Sequence, residues 1–211
     1  MSKKPTKIFY IGLSRSGTTS LHHILLELGL ESVHFCDFLL SNEPHWEKCD
    51  QFDAFGDSPI PLLFKDLDSR YPDSKFILTI RQKEKWLESM EWMFKHGKVI
   101  WDWNESIHAY HEKFYGSRSF NKRILSRHYD DYHKSVFDYF SASPDKLFTI
   151  KLEDGFDVND ICAFLNIPPR EVTNDKRNSR VNASHIGRIK YNVRYYAKRA
   201  LKLTKSFIQR R

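Results

Sequence analysis

Apolar residues fall in short unbroken runs separated by stretches in which they recur three and four apart. The run Ile8-Phe9-Tyr10-Ile11 is closed by Gly12, as fits a strand buried on both faces of a parallel sheet. Leu21, Ile24, Leu25 and Leu28 then follow helical spacing, and Gly29 ends that helix. A second strand is predicted over 32–35, and a helix over 59–71 with Leu62, Leu63 and Leu67 on one face. Phe76-Ile77-Leu78-Thr79-Ile80 is the strongest strand pattern, covering 75–80. A helix over 83–94 comes next, then two aromatic-rich helical stretches, 99–115 and 118–140, which form a helical insertion. A strand at 147–150 and a short helix at 158–165 precede Pro168-Pro169. Strands alternating with helices predict an α/β fold of three layers, a central parallel sheet flanked by helices.

With 211 residues, 40% hydrophobic and 15% aromatic, the chain has a core of its own, which excludes wholesale disorder. No apolar run approaches the ~18 residues of a membrane span, and the apolar segment after the basic start is too short for a signal peptide. Cys36, Cys49 and Cys162 form no Cys-x-x-Cys pair, which fits a reducing, cytoplasmic setting without disulfides or zinc. The net charge of +7 is unevenly spread. Residues 176–211 hold twelve Lys or Arg and no acidic residue, leaving 22 basic against 27 acidic side chains over residues 1–175. The basic character belongs to the tail, so the body does not read as a nucleic-acid binder.

The sharpest motif is Gly12-Leu13-Ser14-Arg15-Ser16-Gly17-Thr18-Thr19, between the first strand and the first helix. Loop N–H groups and the free N–H groups of a helix start converge there on an anion. The spacing is Gly-x4-Gly, as in a Walker A loop, but Thr18 stands where a nucleoside triphosphatase needs Lys. Arg15 supplies a cation instead. The alternatives are an ordinary Gly-turn entering a helix and a P-loop nucleotide or small-molecule kinase. A second site candidate is Arg81, closing the strand at 76–80, with Ser89 eight positions later; a guanidinium and a hydroxyl so placed would grip one phosphate from two sides.

These motifs resemble those of the P-loop sulfotransferases that use 3′-phosphoadenosine 5′-phosphosulfate (PAPS). Arg15-Ser16-Gly17-Thr18-Thr19 matches their 5′-phosphosulfate loop, and Arg81 with Ser89 their 3′-phosphate pair. Arg81-x4-Trp86-x2-Ser89, Asp57-Ser58-Pro59, Tyr71-Pro72-Asp73-Ser74-Lys75 and Leu152-Glu153-Asp154-Gly155 extend the resemblance to a subgroup of small soluble members, over roughly residues 7–170. The resemblance implies a P-loop fold and metal-free transfer of the sulfuryl group from PAPS to an acceptor. It implies a donor site of Arg15, Ser16, Gly17, Thr18, Thr19, Ser20, Arg81 and Ser89, with Arg15 also stabilising the leaving phosphate. Ser20 stands where cytosolic members carry an adenine-stacking Trp, so no adenine platform is assigned. Asp57 occupies the place of the family's base, with helix capping as its competing role; His34 and Asp37 are the reserves. A carboxylate base suits a carbohydrate or glycolipid-like acceptor.

His108-x2-His111, at helical spacing, and His128-x4-His133 read as packed side chains, not metal ligands. Trp92, Trp101, Trp103, Tyr110 and Tyr115 read as packing of the helical insertion, or else as an acceptor groove that stacks on sugar rings. In the tail, Ile186, Ile189, Val193, Tyr196, Ala200, Leu203 and Phe207 alternate three and four apart, a narrow apolar seam on a basic helix. The chain thus divides into a domain over 1–184 and a basic amphipathic helix over 185–211. That helix would dock on the body, contact an anionic membrane surface or polymer, or pair in a dimer. The non-enzymatic competitor is a basic-tail module binding membrane or nucleic acid.

Overall fold

The computed structural model describes residues 6–41 and 43–170. One sheet holds β1 (Ile8–Tyr10), β2 (Ser32–His34), β3 (Ala54–Gly56), β4 (Lys75–Ile80) and β5 (Leu147–Lys151), all parallel, in the order β2-β3-β1-β4-β5. Alternation along the strands sorts the core into two halves. Ile8, Tyr10, Ala54 and Ile77 face α1 (Thr18–Glu27) and α6 (Val158–Leu165), where they meet Leu21, Ile24, Leu25 and Ile161. Phe9, Ile11, Phe55, Phe76 and Leu78 face the other way, against α2 (Ile60–Arg70), α3 (Lys83–Ile100), α4 (Glu105–Tyr115) and α5 (Lys122–Phe140). This is the three-layer α/β arrangement that the sequence predicts.

Several boundaries differ from expectation. β3 carries no pattern signal of its own: it is three residues long and ends in Gly56, whose absent β-carbon leaves room for the Tyr10 ring. α3 runs to Ile100, past Gly97, because that glycine lets Trp103 pack where a β-carbon would stand 2.3 Å from its ring. The stretches expected at 99–115 and 118–140 begin later, at Asn104 and Asn121 caps. Their side chains accept from the N–H groups of Ile107 and Ile124. The basic helix expected over 185–211, and the boundary at residue 184, lie outside the described residues.

Candidate active site

The crossing from β1 to α1 forms the phosphate loop at the C-terminal edge of the sheet. β4 passes so close to Gly12 that a β-carbon there would lie 1.9 Å from Thr79 Oγ1. Gly17 takes φ 90 at the start of α1, and no side chain caps that helix. Its first-turn N–H groups and the positive end of its dipole are therefore available to an anion. Gly17, Thr18, Thr19 and Ser20 line a cleft of about 1630 Å³. Ser16 does not. It is buried, its N–H and hydroxyl both donate to Leu13 O, and the hydroxyl also lies 3.0 Å from Thr79 Oγ1. Its side chain holds the loop together.

Ser14 is fixed by three elements. Its N–H donates to the Tyr115 hydroxyl of α4 (3.3 Å), and its carbonyl accepts from Trp86 Nε1 of α3 (2.9 Å). Its hydroxyl donates to Asp57 Oδ1 (2.7 Å). Arg15, in the left-handed conformation at φ 73, turns the opposite way. Its Nε donates to Ser89 Oγ (2.9 Å), and its guanidinium lies over the Trp92 ring (5.4 Å). Arg81 Nη1 donates to Arg15 O (3.3 Å), while the Tyr129 hydroxyl of α5 donates to Arg81 O (2.8 Å). The sequence assigns Arg15 to one phosphate and Arg81 with Ser89 to another. The structure joins all three in one network. A hydroxyl that accepts from Arg15 keeps its own proton to donate.

Pairing between the β2 and β3 segments continues past the strands, with Phe35 N–H donating to Gly56 O and Cys36 N–H to Ser58 O. Asp57 is held between those two anchors at φ 57. Its Oδ2 lies 3.7 Å from His34 Nε2, which is also 3.1 Å from Thr18 Oγ1 and 3.3 Å from Thr19 Oγ1. Asp57 does not cap α2. Pro59 holds the cap position, and no side chain bonds the helix start. Asp37 lines the same cleft. The sequence treats His34 only as a substitute for Asp57. Its contact with that carboxylate depends on β2 lying beside β3, which no local pattern reveals.

The aromatic residues divide between the two roles weighed for them. Tyr110 and Tyr115 are buried, whereas Trp92, Trp101 and Trp103 line the cleft, Trp101 at 41% exposure. Backbone strain gathers here too. Of the five non-glycine residues with positive φ among the described residues, Arg15, Phe35, Asp57 and Asp102 line the cleft. Such conformations cost about 1–3 kcal/mol each and persist where surrounding structure enforces them. No described helix is long and apolar enough to cross a membrane.

Comparison with known proteins agrees with this architecture. The structure is similar to a sulfotransferase from Alicyclobacillus acidocaldarius, at TM-score 0.50 and 15% identity, over 92% of this chain and 98% of that one. It is also similar to mouse sulfotransferase SULT7A1 complexed with PAP, at TM-score 0.51 and 15% identity, over 86% of this chain and 65% of that one. At that identity the likeness establishes the fold. A curated relative, Ava biosynthesis cluster protein M of Aspergillus versicolor, is 29% identical over 40% of this chain and spans 42% of its own length in the match. The profile of the sulfotransferase domain matches residues 7–51 and 41–183. A match over most of the chain, on a parallel sheet whose phosphate loop carries Arg15, places this protein in the sulfotransferase domain family.

Proposed function

We propose that the chain moves the sulfuryl group of PAPS to a hydroxyl or amine of an acceptor bound in the same cleft. One observation carries this reading. Consecutive loop residues, Ser14 and Arg15, reach a carboxylate on one side and the Ser89–Arg81 network on the other. A donor held by the loop then has a cation set at its phosphates and a base at its far end. Thr18, Thr19 and the uncapped helix start receive the 5′-phosphosulfate; Arg81 and Ser89 receive the 3′-phosphate. The acceptor oxygen attacks sulfur in line as the bond from sulfur to the bridging phosphate oxygen breaks. Asp57 takes the acceptor proton, and Arg15 with the loop N–H groups takes the charge that develops on the departing phosphate. Ser14 orients the Asp57 carboxylate, and His34 ties it to the loop hydroxyls.

For the acceptor, Trp101, Trp103 and Phe35 offer flat apolar faces beside Asp37, Asp102 and Asn104. Rings that stack on apolar sugar faces, with carboxylates and an amide for sugar hydroxyls, support a carbohydrate or glycolipid-like acceptor. The seam and charge of residues 185–211 support recruitment to an anionic membrane surface or polymer from the cytoplasm. Adenosine 3′,5′-bisphosphate at ~100 times its Kd should stabilise the fold by about 2.7 kcal/mol in thermal melts. ATP with magnesium should do far less, and equal stabilisation by ATP would overturn the reading in favour of a kinase.

A further inference from the structure

Three histidine ring nitrogens are buried without a hydrogen-bond partner among the described residues, on His111, His128 and His133. Of these, His111 alone lines the cleft. It is 3% exposed, in the second turn of α4, with Trp103 at 4.4 Å and Phe94 at 5.0 Å between ring centroids. Burial, reinforced by His108, pushes its pKa down to about 4 although Asp57 pulls the other way. The ring is therefore neutral at pH 7, with one donor and one acceptor nitrogen. The unpartnered nitrogen of His111 is Nδ1, and a buried nitrogen left unpaired costs free energy that a ligand in the cleft can recover.

We propose that His111 determines acceptor specificity by hydrogen-bonding a second, uncharged oxygen of the acceptor while Asp57 faces the hydroxyl that is sulfated. The inference rests on the sulfotransferase reading of the cleft and narrows its acceptor. A carboxylate at that point would lose hydration against Trp103 and Phe94 without gaining an opposite charge. A simple alcohol or monophenol would leave the His111 nitrogen unpaired. A sugar ring supplies both oxygens and an apolar face for the neighbouring indoles.

The test uses the full chain with labelled PAPS, phenyl β-D-glucopyranoside and its monodeoxy analogues, in wild type, His111→Phe and His111→Asn. Phe keeps the ring packing and removes the nitrogens; Asn keeps hydrogen-bonding atoms. In wild type, one analogue should lose about tenfold in kcat/KM, the worth of one hydrogen bond. In His111→Phe the parent glucoside should fall to that level, mainly through KM, and the same analogue should fall no further, a coupling that a purely structural role does not produce. His111→Asn should recover part of the loss. A uniform fall across all acceptors, or no change, overturns the proposal. Failure of the wild-type protein to bind or sulfate any glucoside also overturns it. Stabilisation by adenosine 3′,5′-bisphosphate in that case leaves the sulfotransferase reading standing, and its absence removes both.

Discussion

Asp57 is held by Ser14 Oγ at 2.7 Å and by a backbone segment pinned at Gly56 and Ser58, contacts that a helix-capping aspartate would not need. Its isosteric replacement Asp57→Asn keeps the Ser14 contact and removes the proposed base. Turnover should fall by roughly 10²–10⁴ while stabilisation by adenosine 3′,5′-bisphosphate stays close to wild type. Near-normal turnover would move the base to His34. Arg81→Ala and Ser89→Ala should weaken adenosine 3′,5′-bisphosphate about tenfold or more, the loss of a charge-assisted hydrogen bond. Adenosine 5′-phosphate, which lacks the 3′-phosphate, should bind almost as before. Calorimetric titration of both nucleotides checks this, and equal losses for the two would place the pair elsewhere on the nucleotide. Arg15, Gly17, Thr18 and Thr19 were legible because a phosphate loop is a contiguous pattern. His34 and His111 were not, because their roles come from sheet order and from the packing of α4, which bring distant residues together.

At the level of elements, strand and helix patterns located β4 and α6 to the residue, since their apolar positions are unambiguous. β3 escaped because its three residues are too few to show alternation, and α3 runs on past 94 with Trp103 packed against Gly97. The insertion, together with α3, also supports the site. Trp86, Tyr115 and Tyr132 hydrogen-bond the backbone of Ser14 and Ile11, so α3, α4 and α5 fix the loop as well as fill the core. That insertion contains buried histidines, and burial pushes His111 and His128 from 6.5 down to about 4. Between those two values the unfolded chain binds protons that the native state does not, so stability rises with pH across the window. Urea midpoints should therefore drop as the pH is lowered from about 6.5 toward 4, with no further loss from these two groups below that. His128→Phe, which fits among Phe114, Tyr115 and Tyr132, should flatten the dependence. An unchanged slope in that variant would assign the acid sensitivity to other groups.

For the molecule as a whole, charge separates into a body of net −5 over residues 1–175 and a tail with twelve positive charges. Each basic residue near an anionic surface contributes about 1 kcal/mol, decaying over a Debye length. Deleting residues 185–211 should abolish salt-sensitive sedimentation with anionic vesicles and leave nucleotide stabilisation intact. A large fall in melting temperature would make the seam part of the core, and conversion of a dimer to a monomer would make it a subunit contact. The central claim, that this cleft transfers a sulfuryl group from PAPS, is tested most directly by following the labelled sulfur itself. Incubated with ³⁵S-PAPS and a panel of sugar acceptors, the wild-type protein should move label to an acceptor and release adenosine 3′,5′-bisphosphate in equal amount, while Asp57→Asn binds the nucleotide and transfers almost none. Label that stays on the donor with every hydroxyl and amine acceptor, under conditions where the nucleotide is bound, would contradict the account.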